Sequence, residues 1–476
     1  MIKVIASYIV LMVLSTSIFA CDIDCYKSSE LGVGISAVHH IITDTSYQSI
    51  TSDYYGLGET DDSIATYKVD LMSQFKLTEN IGLTSTIRAL NRTYKTDFYN
   101  DYPGVECSNM NMIENKQYTD AHFRSLYLTY NLPEIGDYKH MIAGGTMPFQ
   151  GGSWSNYKTG LPKEADGLSM MFDMPFDALV YVADISEYTS ADFFQVRAGF
   201  GEYMKLRSIY PQNENIGRTP YGTTVSFLNL DVKEGDHNIK FDVYSTDWVF
   251  KDIEIGTAQQ VGVGYAFDRM EEDGYVVYGT VAASRAEGSY MNYVSQELNN
   301  NREALIQSTM ATYSINYATA ATIIDSKLSN VTPEFVASAL DINLQDTGLV
   351  QGDVATGWAY QLGAKKEFWW VEEFDVEWFV GGEYFRSSKD WVATTLRGFS
   401  RKGIDPLLKG QALDLYTGIN FDDNKTLTFS VIHEDRKWGP TSVNDVVGIR
   451  PDETNRNMLE DRTIFRVDFT WMFLGL

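Results

Sequence analysis

"TIFRVDFTWMFLGL", residues 463–476, is the stretch that decides how the rest of the chain should fold. From Phe465 to Phe473 an apolar or aromatic side chain takes every second position, and Arg466 and Asp468 are among the residues between them. A period of two is the period of a β-strand, whose successive side chains point to opposite faces. The stretch therefore predicts a strand with one apolar face and one mostly polar face. Such a strand suits a soluble sheet as well as a membrane barrel.

The same alternation recurs along the chain in segments that turn residues separate. The clearest segments are 67–77, 81–88, 239–244, 261–267, 374–384, 413–421 and 427–431. Alternating segments of about ten residues are typical of transmembrane β-strands, whereas strands of soluble sheets are usually near 5–6 residues. Charges also lie in mid-strand on the polar face, as in "YKVDL" and "FRVDF". Charges in these positions favour an aqueous lumen.

Short and long connections between these segments alternate. The short ones are "LTEN", "LPEIGD", "KEGDHN", "MEEDG", "FWWVEE" and "FDDNK". The long ones are 43–63, 93–118, 149–165, 286–354, 386–410 and 435–460. Bacterial outer-membrane barrels have short periplasmic turns and long extracellular loops. The alternation therefore predicts that the connection around residue 395 is extracellular and that Asp423 is periplasmic.

Aromatic residues cluster where these strands should leave the bilayer. Trp369 and Trp370 precede a short turn, and Trp471 and Phe473 lie near the end of the last segment. Trp and Tyr are enriched at the level of the lipid headgroups. We therefore interpret these four side chains as candidate membrane-interface aromatics.

The N-terminus reads as a targeting signal. Residues 1–20 contain one lysine, an apolar stretch and small residues, which is typical of a secretory signal peptide. We expect cleavage before Cys21, with lipidation of Cys21 as the alternative, then a short periplasmic segment at 21–29 and one barrel domain at 30–476. Apart from this signal, no stretch approaches the roughly 18 consecutive apolar residues of a transmembrane helix.

The cysteine content and the net charge argue against two classes of protein. The chain has three cysteines, Cys21, Cys25 and Cys107, and this odd number argues against a disulfide framework. A Cys21–Cys25 or a Cys25–Cys107 bridge stays open. The formal net charge of -26 argues against nucleic-acid binding, which needs basic patches.

The signal peptide, the alternating strands and the aromatic last strand together resemble the large outer-membrane porins of diderm bacteria, over roughly residues 30–476. This resemblance implies an all-β, antiparallel transmembrane barrel in the bacterial outer membrane. It implies contact with outer-membrane lipid and lipopolysaccharide, insertion by the barrel-assembly machinery, and a possible homotrimer. In that family the last strand ends in an aromatic residue, whereas here Leu474, Gly475 and Leu476 follow Phe473.

The segments number about 17, and a barrel with both ends in the periplasm needs an even number of strands. The count is therefore 16 or 18, and the doubt lies in residues 166–221.

With the apolar face outward, charged residues of both signs face the lumen. The candidate pore-lining residues are Lys68, Asp70, Arg88, Arg197, Lys240, Asp242, Asp375, Glu377, Glu383, Asp414, Arg466 and Asp468. Rows of opposite charge can orient polar solutes, or the same residues can form ion pairs that stiffen the wall. Because the two signs are about balanced, the acid excess belongs to the loops, and we expect only a weak preference for cations.

Residues 286–354 depart from the strand pattern. Their Ala, Leu, Ile and Met follow a helical spacing, and Pro333 starts a second helix. We expect a helical insertion in one extracellular loop, which either folds into the lumen or caps it. The Gly-rich stretch at 144–156 lacks the lysine and the βαβ context of a phosphate loop and reads as flexible turn chemistry.

The sequence points to transport rather than catalysis. It has no G-x-S-x-G motif, "HEDRK" is not a zinc motif, and His39–His40 is a weak metal candidate within the first strand. We therefore expect no enzyme, metal or cofactor. The leading hypothesis is an outer-membrane porin that passes small hydrophilic solutes and ions by diffusion. The alternative is an exported adhesion or structural β protein.

Overall fold

The computed structural model describes most of the barrel and parts of its connections. The described residues are 36–54, 58–98, 116–133, 139–147, 154, 157–158, 168, 170–173, 176–203, 224–250, 253–288, 302–303, 305–310, 316–328, 354–371, 376–392, 394–395, 404, 408–422, 424–438 and 459–475. The predictions for the signal peptide, the N-terminal segment and the three cysteines fall outside these residues.

The described chain contains 18 strands. They are β1 (Ser36–Tyr54), β2 (Gly58–Lys76), β3 (Ile81–Phe98), β4 (Lys116–Asn131), β5 (Lys139–Met147), β6 (Phe172–Asp173), β7 (Phe176–Asp184), β8 (Phe193–Tyr203), β9 (Thr224–Glu234), β10 (His237–Phe250), β11 (Ile253–Arg269), β12 (Tyr275–Gly288), β13 (Val354–Val371), β14 (Val376–Ser387), β15 (Thr394–Thr395), β16 (Lys409–Asp422), β17 (Lys425–Trp438) and β18 (Leu459–Gly475).

Sixteen of these strands close into one barrel. Each pairs antiparallel with its neighbours, and β1 meets β18 with Thr45 opposite Phe469. The two short strands, β6 and β15, form a separate parallel pair. The prediction of an all-β antiparallel barrel is thus confirmed, and the strand count is 16. Within residues 166–221, the described strands that join the barrel are β7 and β8, whereas β6 belongs to a connection.

The polarity of the barrel wall is the inverse of that of a soluble protein. In β18 the side chain of Phe465 is 54% exposed, whereas Arg466 and Asp468 next to it are only 6% and 3% exposed. The same holds on β16, where Leu415 is exposed and Asp414 is fully buried. A contiguous exposed apolar surface of this extent marks a surface that needs a lipid or protein partner. The aromatic face of the opening stretch is therefore the outer face of the barrel.

The connections sort to the two ends of the barrel. At one end, turns of two to eight residues join the strands, the longest running from 185 to 192 around a 3-10 turn at Ser186–Tyr188. The long connections all lie at the other end, together with two short ones, 55–57 and 251–252. The prediction of a long loop at 43–63 is wrong, because β1 and β2 continue pairing through it as far as Tyr54 and Gly58. With 19 residues each, these two strands are longer than the 9–11 residues that cross a bilayer.

Helices are confined to connections. Helix α1 (Met270–Asp273) forms the turn between β11 and β12, and α2 (Tyr317–Leu328) lies between β12 and β13. The predicted helical insertion in one long loop is thus confirmed for α2, and the second helix predicted at Pro333 falls outside the described residues. Among the described residues, neither helix has the length and apolar character needed to cross a lipid bilayer.

Candidate functional site: the barrel lumen

The inner face of the barrel collects the charged residues that alternate with the outer apolar ones. Of the predicted pore-lining residues, those buried on this face are Lys68, Asp70, Arg88, Lys240, Asp242, Glu383, Asp414, Arg466 and Asp468. Arg197 and Glu377 lie on the same face and are half-buried, and Asp375 lies outside the described residues. That these residues line a conducting path stays a prediction.

Most of these charges are paired with a neighbour on the same wall. On the β1–β3 wall the Lys68 ammonium lies 3.0 Å from the Asp44 carboxylate. The Arg88 guanidinium binds both carboxylate oxygens of Asp70 at 2.7 Å. Because opposite charges adjoin along the wall, the described residues do not form two rows of opposite sign that face each other across the lumen.

On the inner face of β9–β18, charged side chains are also paired with neighbours of opposite sign. Arg466 pairs with Asp468 at 2.7 Å, and Lys240 pairs with Asp231. Two further pairs lie near the ends of the strands: Lys365 with Glu367 at 2.6 Å, and Arg462 with Glu434 at 2.7 Å. The ion pairing that the sequence left as an alternative is therefore what these side chains show.

One long connection enters the lumen. Loop 3 is the segment 148–175 between β5 and β7, and its Lys158 forms an ion pair with Asp414 of β16. Going round the barrel from β7 through β8 to β14, β16 is reached in eight steps of a sixteen-membered ring. Asp414 thus lies on the wall opposite the strands that carry the loop. A loop that reaches it must cross the lumen.

Hydrogen bonds hold loop 3 against the wall along its path. The Trp154 indole N–H donates to the Thr280 hydroxyl on β12 at 2.9 Å. The backbone N–H of Leu168 donates to a carboxylate oxygen of Asp242 on β10 at 2.5 Å. Charged acceptors form the stronger hydrogen bonds, so Asp242 serves as an anchor for the loop backbone.

Aromatic stacking adds to this anchoring. The Tyr157 ring lies 6.0 Å from that of Trp154 and 5.4 Å from that of Tyr278, in stacked geometry. The Tyr157 hydroxyl donates to the Asp268 carboxylate at 2.8 Å. Burial raises the pKa of Tyr157, and this hydrogen bond raises it further, so the phenol stays protonated as a donor.

Glycines on the inner face make room for loop 3. A Cβ added at Gly264 of β11 would lie 2.5 Å from Leu168 Cδ2 and 3.0 Å from Trp154 Cζ2. One added at Gly262 would collide with the Met171 sulfur. In the sequence these glycines alternate with the outward-facing Val261, Val263 and Tyr265, and this is a signal that something packs against that wall.

In the helical insertion, described side chains contact one another. Loop 6 is the segment 289–353 between β12 and β13, and its described apolar residues Ile306, Ala320 and Ile324 pack with one another. Arg302 donates two hydrogen bonds to Asp325 at 2.7–2.8 Å within the same loop. Loop 3 was thus the lumen segment that sequence reasoning missed, because it read the glycines at 144–156 only as turn chemistry.

The candidate interface aromatics lie at the short-turn end of the barrel. Trp369 and Trp370 are near the end of β13, and Phe473 is near the end of β18. The ammonium of Lys425 lies 5.2 Å from the centre of the Trp471 ring. A cation next to an aromatic ring is favourable, and that these residues lie at the level of the lipid headgroups stays a prediction.

The two histidines considered as metal ligands lie in β1 and point to opposite faces of the sheet. The Nδ1 atom of His39 is 2.9 Å from the Ser73 hydroxyl, and its ring meets Phe75 edge-on. His40 is the next residue on the strand and faces the other side of the sheet. Within the described residues, no three His, Cys, Asp or Glu side chains are arranged to hold a metal ion.

Comparisons with known proteins show a likeness in fold. No protein-family model and no curated protein matches the chain. Among solved structures, it is similar to outer-membrane-expressed OmpT of Vibrio cholerae, with 10% identity, TM-score 0.44, and 94% of this chain and 100% of that chain covered.

Two other solved structures give similar values. OprB of Pseudomonas putida has 9% identity and a TM-score of 0.46, and covers 92% and 94% of the two chains. An anion-selective porin from Comamonas acidovorans has 9% identity and a TM-score of 0.42, and covers 92% and 99%. At these identities the likeness concerns the fold alone.

Proposed function

We propose that the protein is an outer-membrane diffusion channel for small hydrophilic solutes and ions. The observation that carries the proposal is the closed 16-stranded barrel with apolar side chains outside and ionisable side chains inside. A barrel of 16 strands is wide enough to enclose an aqueous channel. The outer face suits lipid, and the inner face suits water. An adhesion or structural protein needs no such charged interior.

Loop 3 supplies the size filter in this proposal. It crosses the lumen from β7 to Asp414, and its anchors on Asp242 and Thr280 hold it in place. Passage is therefore limited by the gap that the loop leaves. No bond of the solute is made or broken, so rates depend on size and on interactions with the wall.

Charge selectivity should be weak. A pore discriminates between ions when charges of one sign dominate its narrow part. Here the inner charges adjoin partners of opposite sign, as Asp44 does with Lys68. The acid excess of the chain belongs to its connections, where salt screens charges over about 8 Å at physiological ionic strength. We therefore propose a mild cation preference that appears at low salt.

The outer face also bears on oligomeric state. From residue 43 to 51 every outward side chain of β1 carries a hydroxyl group; these residues are Thr43, Thr45, Tyr47, Ser49 and Thr51. A hydroxyl group without a hydrogen-bond partner is unfavourable against acyl chains, whereas between transmembrane helices small polar residues allow close packing and hydrogen bonds, and we apply the same argument to barrels. We place the contact of a homotrimer on β1. Other partners are outer-membrane lipid, lipopolysaccharide and the barrel-assembly machinery.

Liposome swelling tests the channel proposal. Purified protein is refolded into vesicles, and its folding is checked by heat-modifiable gel migration. Isotonic sugars of increasing size are then added. We expect fast swelling with small sugars and a sharp fall at a size limit. Vesicles with folded protein that swell no faster than empty ones with the smallest sugar would overturn the proposal.

A further inference from the structure

A second long connection enters the barrel and lies against the inner face of its wall. Loop 7 is the segment 388–408 between β14 and β16. The backbone N–H of Val392 donates to Ser284 of β12 at 3.0 Å, and its carbonyl accepts from the Gln260 side chain of β11 at 2.7 Å. From β14 to β11 is three strand spacings, about 14 Å. Loop 7 thus runs across the inner face of the strands between.

A glycine makes room for loop 7, as glycines do for loop 3. A Cβ added at Gly357 of β13 would collide with the backbone of Asp390 and Trp391. The Trp391 side chain is 1% exposed, and Ile404 and Leu408 of the same loop are buried with it in the apolar cluster inside the barrel. This packing is that of a fixed inner layer.

Loops 3 and 7 are joined to each other. Strand β6 of loop 3 pairs in parallel with β15 of loop 7, with Phe172 opposite Thr394 and Asp173 opposite Thr395. Both loops also contact β12, where Trp154 binds Thr280 and Val392 binds Ser284. A displacement of one loop therefore disturbs the other.

The hydrogen bonds and ion pairs described for the two loops lie on β10–β12 and β16, and the apolar cluster that contains Ile404 and Leu408 continues to Ile432 of β17, Ile464 of β18 and Ile50 near the end of β1. On the other side of the barrel, the inner faces of β17, β18 and β1–β4 carry ion pairs such as Asp70–Arg88 and Arg466–Asp468. We propose that the described parts of loops 3 and 7 form one partition, and that solutes pass between this partition and the inner wall of β1–β4. Loop 7 is then a second determinant of the size limit. This inference rests on the proposed channel function.

Deletion of loop 7 tests the inference on the full barrel. Residues 389–407 are replaced by two glycines, which is feasible because the Ser387 hydroxyl already donates to the Leu408 carbonyl at 2.5 Å. The matched control deletes residues 295–347 of loop 6, whose ends are held by the pairing of Glu287 with Val354. Single-channel conductance in planar bilayers is measured for both variants and the parent.

We expect loop 7 deletion to raise conductance about two-fold or more, and to raise the sugar size limit, because a wall of the constriction is removed. Loop 6 deletion should leave both unchanged. A conducting parent whose conductance does not change on loop 7 deletion would overturn the inference while leaving the channel function intact. A folded parent that does not conduct would overturn both.

A second experiment leaves both loops in place, so it does not depend on folding of a deletion variant. Single cysteines are introduced into a chain whose native cysteines are serine. Gln48→Cys places a thiol on the β1 inner wall, and Ala282→Cys places one under the loops on β12. We expect a charged thiol reagent to change the current through Gln48→Cys several-fold faster than through Ala282→Cys. Equal rates, or the reverse order, would contradict a path along β1.

Discussion

Side-chain direction decides at the level of single residues whether a charge is tolerated in the barrel wall. Val380 of β14 is exposed on the outer face between Trp378 and Tyr384, and Glu377 of the same strand faces inward. We expect Val380→Arg to lower the unfolding free energy by about 2–4 kcal/mol in lipid, since it places a cation in the acyl region. Glu377→Arg should cost far less. Urea titration in lipid vesicles measures both, and equal costs would contradict the assignment of faces.

The Lys158–Asp414 ion pair is the residue-level contact that spans the lumen. Removing one partner of a buried pair costs about 3–5 kcal/mol when the remaining charge stays dry. We expect Lys158→Met to release loop 3 instead, so that water reaches Asp414 and conductance rises. The double variant Lys158→Met/Asp414→Leu restores an apolar contact and should return conductance toward the parent value. Unchanged conductance of the single variant would show that the ion pair does not hold the loop.

At the scale of elements, the two ends of the barrel are distinguished by their connections. A site near residue 395 is unsuitable for a topology test, because β15 lies in loop 7 and pairs with β6 inside the barrel. The segment 204–223 between β8 and β9 is the better choice, with the turn at 423–424 as its counterpart. We expect a protease site inserted after residue 213 to be cut on intact cells. A site at the 423–424 turn should be cut only after the outer membrane is permeabilised, and the reverse order would invert the topology.

The elements that could be predicted from the sequence are those with a local signal. The alternation in β18 and β16 marks both the strands and their faces, since burial in a barrel wall repeats every two residues. Loop 3 and loop 7 carry no such period. Their positions depend on contacts between residues far apart in sequence, such as Lys158 with Asp414, and on inner glycines such as Gly357. Pairing of β1 beyond residue 43 was missed for a similar reason, because its outward side chains are hydroxyls.

For the whole molecule, we propose that barrels associate through the hydroxyl face of β1. We expect Thr45→Phe to weaken or abolish the trimer, because a bulky ring there separates two barrels that need close contact. The matched control is Val263→Phe on β11, an exposed apolar position on the far side of the ring. Light scattering of detergent-solubilised protein gives the oligomeric mass. Loss of the trimer in the control, or in neither variant, would argue against a contact at β1.

The formal net charge of -26 and the paired inner wall make different predictions for ion selectivity. If the paired wall governs permeation, the reversal potential across a salt gradient should be near zero at about 1 M salt, where screening acts within about 3 Å. At low salt the acidic connections should produce a small shift toward cations. A strong cation preference that persists at high salt would mean that unpaired carboxylates line the narrow part of the pore.

The most direct test of the central claim is ion current through the purified, folded barrel in a planar lipid bilayer. A water-filled channel narrowed by loop 3 should give discrete current steps of uniform size. Step size should increase in proportion to the conductivity of the bathing salt, because ions then move through water and not through a saturable carrier. Protein that shows heat-modifiable migration, inserts into the bilayer and yet gives no current steps would contradict the claim that this barrel is a diffusion channel.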